Sequence, residues 1–330
     1  GRSALSKELG RKPGRPVIEY VEQQLLLAGR AGCFLVSISE SAYPSLLREI
    51  PDPPPLLYCR GAAETLERPA ICIVGSRSAD RRGLVTARAL AAALSRCGLL
   101  VVSGLARGID GAAHEGGLEG EGSTCAILGS GLDILYPPEN RSLACRIAQK
   151  GLILSELPLG TPPLKANFPR RNRILSGISL GVVVVQANTK SGAMITARLA
   201  REHNRELFAV PGPVENPLSR GPHALLRQGA CLVESVQDVL DSLPPCGRLA
   251  LPEDQAVTGR EHRPLTSQES TIVTALGLDP KHIDEIAQNC NIPSTSIMSL
   301  LLNLEMRGVI VACGGNMYAL PRGDVIRRER

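Results

Sequence analysis

Tryptophan is missing from this 330-residue sequence, and three phenylalanines and five tyrosines are all the aromatic residues it has. A core without large rings must be filled by Ala, Val, Ile and Leu, which suits helices packed on a parallel sheet. Long apolar runs are missing as well. None reaches the ~18 residues needed to span a bilayer, and the N-terminal stretch shows no short apolar segment with a cleavage site. A soluble, cytoplasmic protein is expected, with no membrane partner.

Cysteine is not scarce, but none of the ten is paired with another as CxxC, so neither a zinc site nor a redox motif is indicated. Several lie inside apolar segments, Cys72 in "AICIVG" and Cys125 in "TCAILG", and read as small buried hydrophobes in a reducing compartment. There is no GxGxxG and no Lys-Ser/Thr pair of a P-loop, which disfavours tight ATP or NAD binding. Asp133, Glu139 and Glu156 lack the dense carboxylate spacing of an oxygen-rich metal site. No cofactor and no metal are expected.

Acidic residues show the most local deficit. From Leu157 to Arg201 there is no Asp or Glu, while Lys165, Arg170, Arg171, Arg173, Lys190, Arg198 and Arg201 supply seven cations. The net charge of +5 comes from the middle of the chain, where residues 69–243 hold 19 basic and 14 acidic side chains. A polyanion is the partner to test.

The length suggests two or three domains. Residues 1–68 read as an N-terminal adaptor: a polar opening, a helical pattern from Val17 to Ala28, a strand at "CFLVSI", then a short helix and a rigid, proline-set approach in "YPSLLREIPDPPPLLYCRG". From residue 69 to 243 apolar runs recur at "AICIVG", "LLVVSG", "TCAILG", "GLILSE", "GVVVVQA", "ELFAVPG" and "ACLVE", separated by stretches of helical composition. That alternation predicts an α/β fold, a doubly wound, mostly parallel sheet with helices on both faces. A Pro- and Gly-rich linker is expected at 244–265, and residues 266–330 follow the helix, helix, turn, helix, hairpin order of a small winged-helix domain. Between residues 266 and 320 the charge is wrong for duplex DNA, with Lys281 and Arg307 set against Glu269, Asp279, Asp284, Glu285 and Glu305.

In open parallel sheets ligands sit beyond the carboxyl ends of the strands, so the segments that follow each strand are the candidates. After the first comes "GSRSADRRG", where Gly75 and Ser76 let backbone amides approach an anion at a helix N-terminus and Arg77 adds a guanidinium fork. After the second comes "SGLARGIDGAAH", a flexible, donor-rich loop through Ser103, Gly104 and Gly108 with Arg107 adding charge, Asp110 capping the next helix and His114 lining it. A third such loop is "GSGLDILYPPEN". The basic stretch "KANFPRRNRILSG" sets a scarce ring, Phe168, among Lys165, Arg170, Arg171 and Arg173, beside Asn167 and Asn172. On the residues alone Phe168 is either a base-stacking platform on an exposed basic loop, as in proteins that hold single-stranded nucleic acid, or a core residue at a helix start capped by Asn167.

Taken together and in order, "GSR", "SGLARGID", "YPPEN", "SE", "FPRRNRILSG", "SGAMITARLA" and "VPGP" resemble the DNA-processing protein A (DprA/Smf) family over about residues 43–243, with the acidic winged helix resembling that family's variable C-terminal module. The resemblance implies an extended Rossmann-like sheet that binds single-stranded DNA without catalysing a reaction. It also implies loading of RecA recombinase during natural transformation, and a homodimer formed near residues 205–240 of the middle domain. It places strand binding at Gly75, Ser76, Arg77, Ser103, Gly104, Arg107, Gly108, Lys165, Phe168 and Arg173, with Asn167, Arg170 and Asn172 alongside, and makes Phe168 a base platform. The family's N-terminal helix-hairpin-helix-like module is not recognisable as complete in residues 1–42. A rival likeness, to cytokinin-activating nucleotide phosphoribohydrolases, fails at "KSGAMITARLA", which lacks the acid of their PGGxGTxxE signature.

Overall fold

The computed structural model describes residues 15–243 and, of residues 266–319, all but 277–279, 291, 293, 307–308 and 315. The linker expected at 244–265 lies outside the described residues. The chain divides into two compact units, Gly1–Leu251 and Pro252–Arg330.

In the first unit, helix α1 (Arg15–Arg30) leads into strand β1 (Phe34–Ser37), a one-turn helix α2 (Ser45–Arg48) and strand β2 (Leu56–Gly61). Six βα steps follow: β3 (Ala70–Val74) and α3 (Arg81–Arg96), β4 (Leu100–Ser103) and α4 (Ile109–Gly117), β5 (Thr124–Ile127) and α5 (Arg141–Lys150), β6 (Leu152–Ser155) and α6 (Asn167–Gly177), β7 (Gly181–Val184) and α7 (Gly192–Glu202), and β8 (Glu206–Ala209) and α8 (Arg220–Arg227). The unit ends with β9 (Cys231–Leu232) and α9 (Val236–Ser242). The nine strands form one sheet in the order β1-β2-β6-β5-β4-β3-β7-β8-β9. The seven from β3 onward are parallel, and β2 pairs antiparallel with β6 and with β1.

All seven strands expected from the apolar runs are present, and β2 was the omission. The prolines at 51 and 53–55 turned attention away from it, because proline demotes a strand pattern. They all precede the first paired residue, Leu56, so none removes a ladder hydrogen bond.

Strands β3 to β7 are buried on both sides, and alternate residues serve different cores. On β3, Ala70, Cys72 and Val74 join Ile174, Leu175, Ala193 and Ala197 of α6 and α7 on one face. Ile71 and Ile73 join Leu90, Leu94, Ile109 and Ala113 of α3 and α4 on the other. Small residues let these helices lie close to the sheet, and Cys72 and Cys125 fill the same core as free, fully buried thiols.

The winding starts at β3, runs outward through β4, β5 and β6, and returns to the opposite side of β3 at β7. The crossovers beyond the carboxyl ends of β3 and β7 therefore diverge onto opposite faces, leaving a crevice between them.

The described part of the second unit has helices α10 (Ser267–Ala275), α11 (Ile283–Cys290) and α12 (Ser294–Met306), and strands β10 (Lys281–His282), β11 (Val311–Gly314) and β12 (Met317–Ala319) in a sheet of order β10-β12-β11. Thr266 and Glu269 form a reciprocal capping box at the start of α10. Ile272, Ile286, Ile297, Leu301 and Leu304 make a separate core, so this winged helix buries its own apolar faces. Among the described residues no helix is long and apolar enough to cross a membrane.

Candidate nucleic-acid interface

A cleft of about 720 Å³ opens at the switch point between β3 and β7, within the ~300–1,000 Å³ range usual for ligand sites. Gly75, Ser76 and Arg77 form one wall, and Lys165, Phe168 and Asn172 another. Arg171 and Asp110 also line it, as do Asn188 and Ser191 beyond β7.

The basic stretch is helix rather than loop. Pro169 is tolerated because it lies in the first turn of α6, where an amide has no intrahelical partner to lose. Helical spacing then separates the cations. Phe168, Arg171, Asn172 and Leu175 fall on the face that lines the cleft, whereas Arg170 and Arg173 do not line it. Arg173 is almost fully buried, donating to Glu156 Oε2 at 2.7 Å and to Asp52 Oδ2 at 2.9 Å. Its guanidinium holds the Asp52 carboxyl below the usual range. Arg170, largely exposed, pairs with the same Glu156 at 3.4 Å. Asn167 does not cap the helix. The N-cap is Ala166, and the Asn167 amide reaches back to the Pro162 carbonyl.

Arg171 is 5% exposed, and its guanidinium donates to the carbonyls of Gly104 (3.0 Å) and Ile127. Facing it is Asp110, whose carboxylate accepts the amides of Gly104 (3.1 Å) and Ala106 (3.4 Å). Burial pushes the Asp110 carboxyl up, against the opposing pull of Arg171 and those amides.

The second loop is consequently strapped rather than flexible. Besides Asp110 and Arg171, Asn140 donates to the carbonyls of Leu105 (2.9 Å) and Ala106 (3.1 Å), and His114 Nε2 accepts the Leu105 amide. Asp110 takes amides that precede α4 instead of capping it, and Gly108 stands at the N-cap. Gly108 holds φ = 75° and presses on the Ser76 carbonyl so closely that a Cβ would collide with it, and the Ile109 amide donates to that same carbonyl at 3.2 Å. Ser103 is fully buried with its hydroxyl on the Ile73 carbonyl, and Gly104 is buried beneath Arg171. Arg107 is exposed and 3.8 Å from Glu139. None of Ser103, Gly104, Arg107 and Gly108 lines the cleft; of this stretch only Ala106 and Asp110 do, so the four predicted residues support the wall rather than forming it.

The N-terminus of α3, expected to receive an anion, is closed by its own carboxylate. Asp80 accepts from the Gly83 amide at 2.8 Å, from Gln186 at 3.0 Å and from Asn216 at 2.8 Å. The Gly83 bond, then that from Gln186, holds its pKa down. Anion contact from the first loop thus falls to the exposed Arg77 side chain, whose guanidinium carbon stands 5.7 Å from the Phe168 ring centroid.

Phe168 is half-buried. Its ring rests on Gly129, where an added Cβ would come within 3.0 Å of Cδ1, so the third loop forms the bed on which the ring lies.

His114 is not placed as a base. Fully buried, it accepts at Nε2, and its Nδ1 lies 2.7 Å from Thr124 Oγ1, whose hydrogen is given to Val101 O at 2.6 Å. Both ring nitrogens are therefore used by the neutral form with Nδ1 as donor. Burial, helped by the charge of Arg171, takes its pKa down to about 3. Among the described residues no group of three His, Cys, Asp or Glu side chains is placed to hold a metal ion.

Residues 34–244 match the family model described as DNA recombination-mediator protein A, and residues 257–316 match one described as a DprA winged helix domain. The chain is 36% identical to Protein Smf of Escherichia coli over 311 residues, covering 93% of this chain and 83% of that protein. The crystal structure of DNA processing protein A from Streptococcus pneumoniae superposes with a TM-score of 0.62 at 42% identity, over 64% of this chain and 74% of the other. A second structure, of the Helicobacter pylori DNA processing protein A and described in terms of its single-stranded DNA binding mode, gives 0.58 at 33% identity over 63% and 94%.

Two outcomes follow from the geometry. Arg171→Ala leaves two buried carbonyls unsatisfied and removes the positive charge that offsets buried Asp110, so a loss of about 3–5 kcal/mol is expected in urea unfolding, whereas Arg77→Ala should unfold like the parent. His114 takes up a proton in the unfolded chain near pH 6.5 but in the folded chain only near 3. Its share of stability is therefore full above pH 6.5 and is lost as pH falls toward 3. The slope of unfolding free energy between pH 6.5 and 4.5 should be shallower in His114→Gln than in the parent.

Proposed function

Because the chain belongs to the DNA recombination-mediator protein A family, we propose that the switch-point cleft binds single-stranded DNA and performs no chemistry on it. The observation that carries this reading is the juxtaposition in one cleft of three cations, Arg77, Lys165 and Arg171, with a half-exposed ring, Phe168. Arg77 and Lys165 are exposed and free to follow a phosphate backbone, while Arg171 adds positive potential from the floor. A ring in a cleft can stack only on a base whose face is open. Bases in a duplex are covered above and below, which gives the site its preference for single strands.

Binding without catalysis is supported by how the reactive groups are committed. Asp110, the one acid lining the cleft, accepts two backbone amides, and His114 is neutral with both nitrogens occupied. His114 therefore has no free nitrogen to serve as a base, and the two amides on Asp110 Oδ2 commit that oxygen to holding the loop.

The wider role follows the family resemblance: protection of incoming single strands and delivery to RecA recombinase, by a homodimer assembled through the middle domain. The exposed acids of the winged helix, Asp284 and Glu285 on α11, suit a protein partner better than a phosphate backbone.

Affinity for a single-stranded oligonucleotide is expected to exceed that for the duplex and to fall with log salt at roughly 0.7 per phosphate contacted. Salt-insensitive binding or a preference for duplex rejects the reading. Arg77→Ala should weaken binding and reduce the salt slope by about one phosphate contact, whereas Phe168→Ala should weaken it by about 10- to 100-fold with the slope unchanged. Release of free base from nucleoside monophosphates would establish the phosphoribohydrolase alternative instead.

A further inference from the structure

Tyr136 opens the "YPPEN" motif of the third loop, where the sequence assigns it no role, yet it lines the same cleft and is 38% exposed. Its ring centroid lies 5.8 Å from that of Phe168, the planes inclined by 50°. This is within the range of directly interacting rings. The two are not equally available. Phe168 lies on Gly129 and has Arg77 5.7 Å from its centroid, so much of its surface is already engaged by protein. Tyr136 presents the more open ring.

The backbone that carries Tyr136 is braced on both sides. Ser130 Oγ donates to the Ile134 carbonyl at 2.6 Å, and the Ile134 amide donates to Gly131 at 3.0 Å. Leu135 packs against the cluster that contains Leu128, Leu132 and Leu143. On the far side the Asn140 amide donates to Pro137, and the Asn140 side chain ties into the strapped second loop. An aromatic ring is thereby held by its own loop at a cleft lined by cations, next to Phe168 and with part of its surface open to a ligand.

We infer that Tyr136 is a second base-stacking platform, so that the cleft takes consecutive bases of a single strand on Phe168 and Tyr136 while Arg77 and Lys165 hold the phosphates. The inference rests on the reading of the cleft as a single-strand site. Stacking on an aromatic face tolerates any base, so Tyr136 raises affinity without imposing a sequence.

The absence of tryptophan makes the test direct, because ultraviolet-excited emission of the full chain comes from tyrosine. Two of the five tyrosines, Tyr43 and Tyr58, are buried in the core, at 2% and 5% exposure. Binding of oligo-dT is measured by anisotropy of a labelled strand and by tyrosine quenching, in the parent, Tyr136→Ala and Tyr136→Phe. The expected results are quenching in the parent, about tenfold weaker binding by Tyr136→Ala with an unchanged salt slope, and rescue to within about threefold by Tyr136→Phe with most of the quenching gone. Parent affinity in Tyr136→Ala, or parent quenching in Tyr136→Phe, overturns the second platform. Failure of the parent itself to bind single strands overturns the reading of the cleft on which it rests.

Discussion

The buried guanidinium of Arg171 is the constraint around which the cleft is arranged. Taking a charge out of water is costly, and it is tolerated here because two carbonyls accept its hydrogens and the Asp110 carboxylate supplies compensating charge. The two carbonyls and the carboxylate belong to three places in the chain: the loop after β4, the end of β5 and the first turn of α4. One side chain on α6 thereby fixes the helix against the sheet and locks the loop. The positions of Phe168, on the same face of α6 three residues earlier, and of Arg77, against which the locked loop presses through Gly108 and Ser76, follow from it.

The same helix explains why a run of cations need not be a binding surface. Between Lys165 and Arg173 four positive residues occur within nine positions; Lys165 precedes the helix, and the 3.6-residue turn assigns the three arginines to different environments. Lys165 and Arg171 line the cleft, and Arg173 with Arg170 converges on Glu156. The pairing of Arg173 ties α6 to the segment after β6 and to Asp52, ahead of β2. A desolvated, hydrogen-bonded pair of this kind fixes geometry more than it adds stability. Glu156 and Asp52 lie outside the acid-free span, so folding restores negative charge where the sequence shows none.

Much of the architecture was legible before any coordinates. Seven parallel strands announced themselves as apolar runs too short for helices, separated by Ala-rich amphipathic stretches, and the order of elements in the second unit followed the same reasoning. What escaped was β2, hidden behind its prolines; the helix at 167–177 was only one of two open readings, because its polar and basic residues give no clear apolar period. The site was partly legible. The rule that ligands gather beyond strand ends pointed to Gly75–Arg77 and to Lys165–Phe168, which do share the cleft. Ser103, Gly104 and Gly108 share its supporting wall, because a glycine-rich loop has the same composition whether its amides face a ligand or are taken by Asp110 and His114. Tyr136 stood in a candidate loop and in the "YPPEN" motif but carried no assigned role, since a lone tyrosine before two prolines reads as a turn.

By itself, then, the sequence determined the layers of the fold, the strand ends where a ligand could gather and the excess of positive charge there, because apolar periodicity, glycine placement and net charge are local properties. Only the tertiary structure decided which cations face the cleft, which are consumed by Glu156 and Asp52, and that a second ring stands beside Phe168. Those outcomes depend on contacts between residues far apart in the chain, among them Arg171 with Gly104 and Arg173 with Asp52, which no pattern along the sequence encodes.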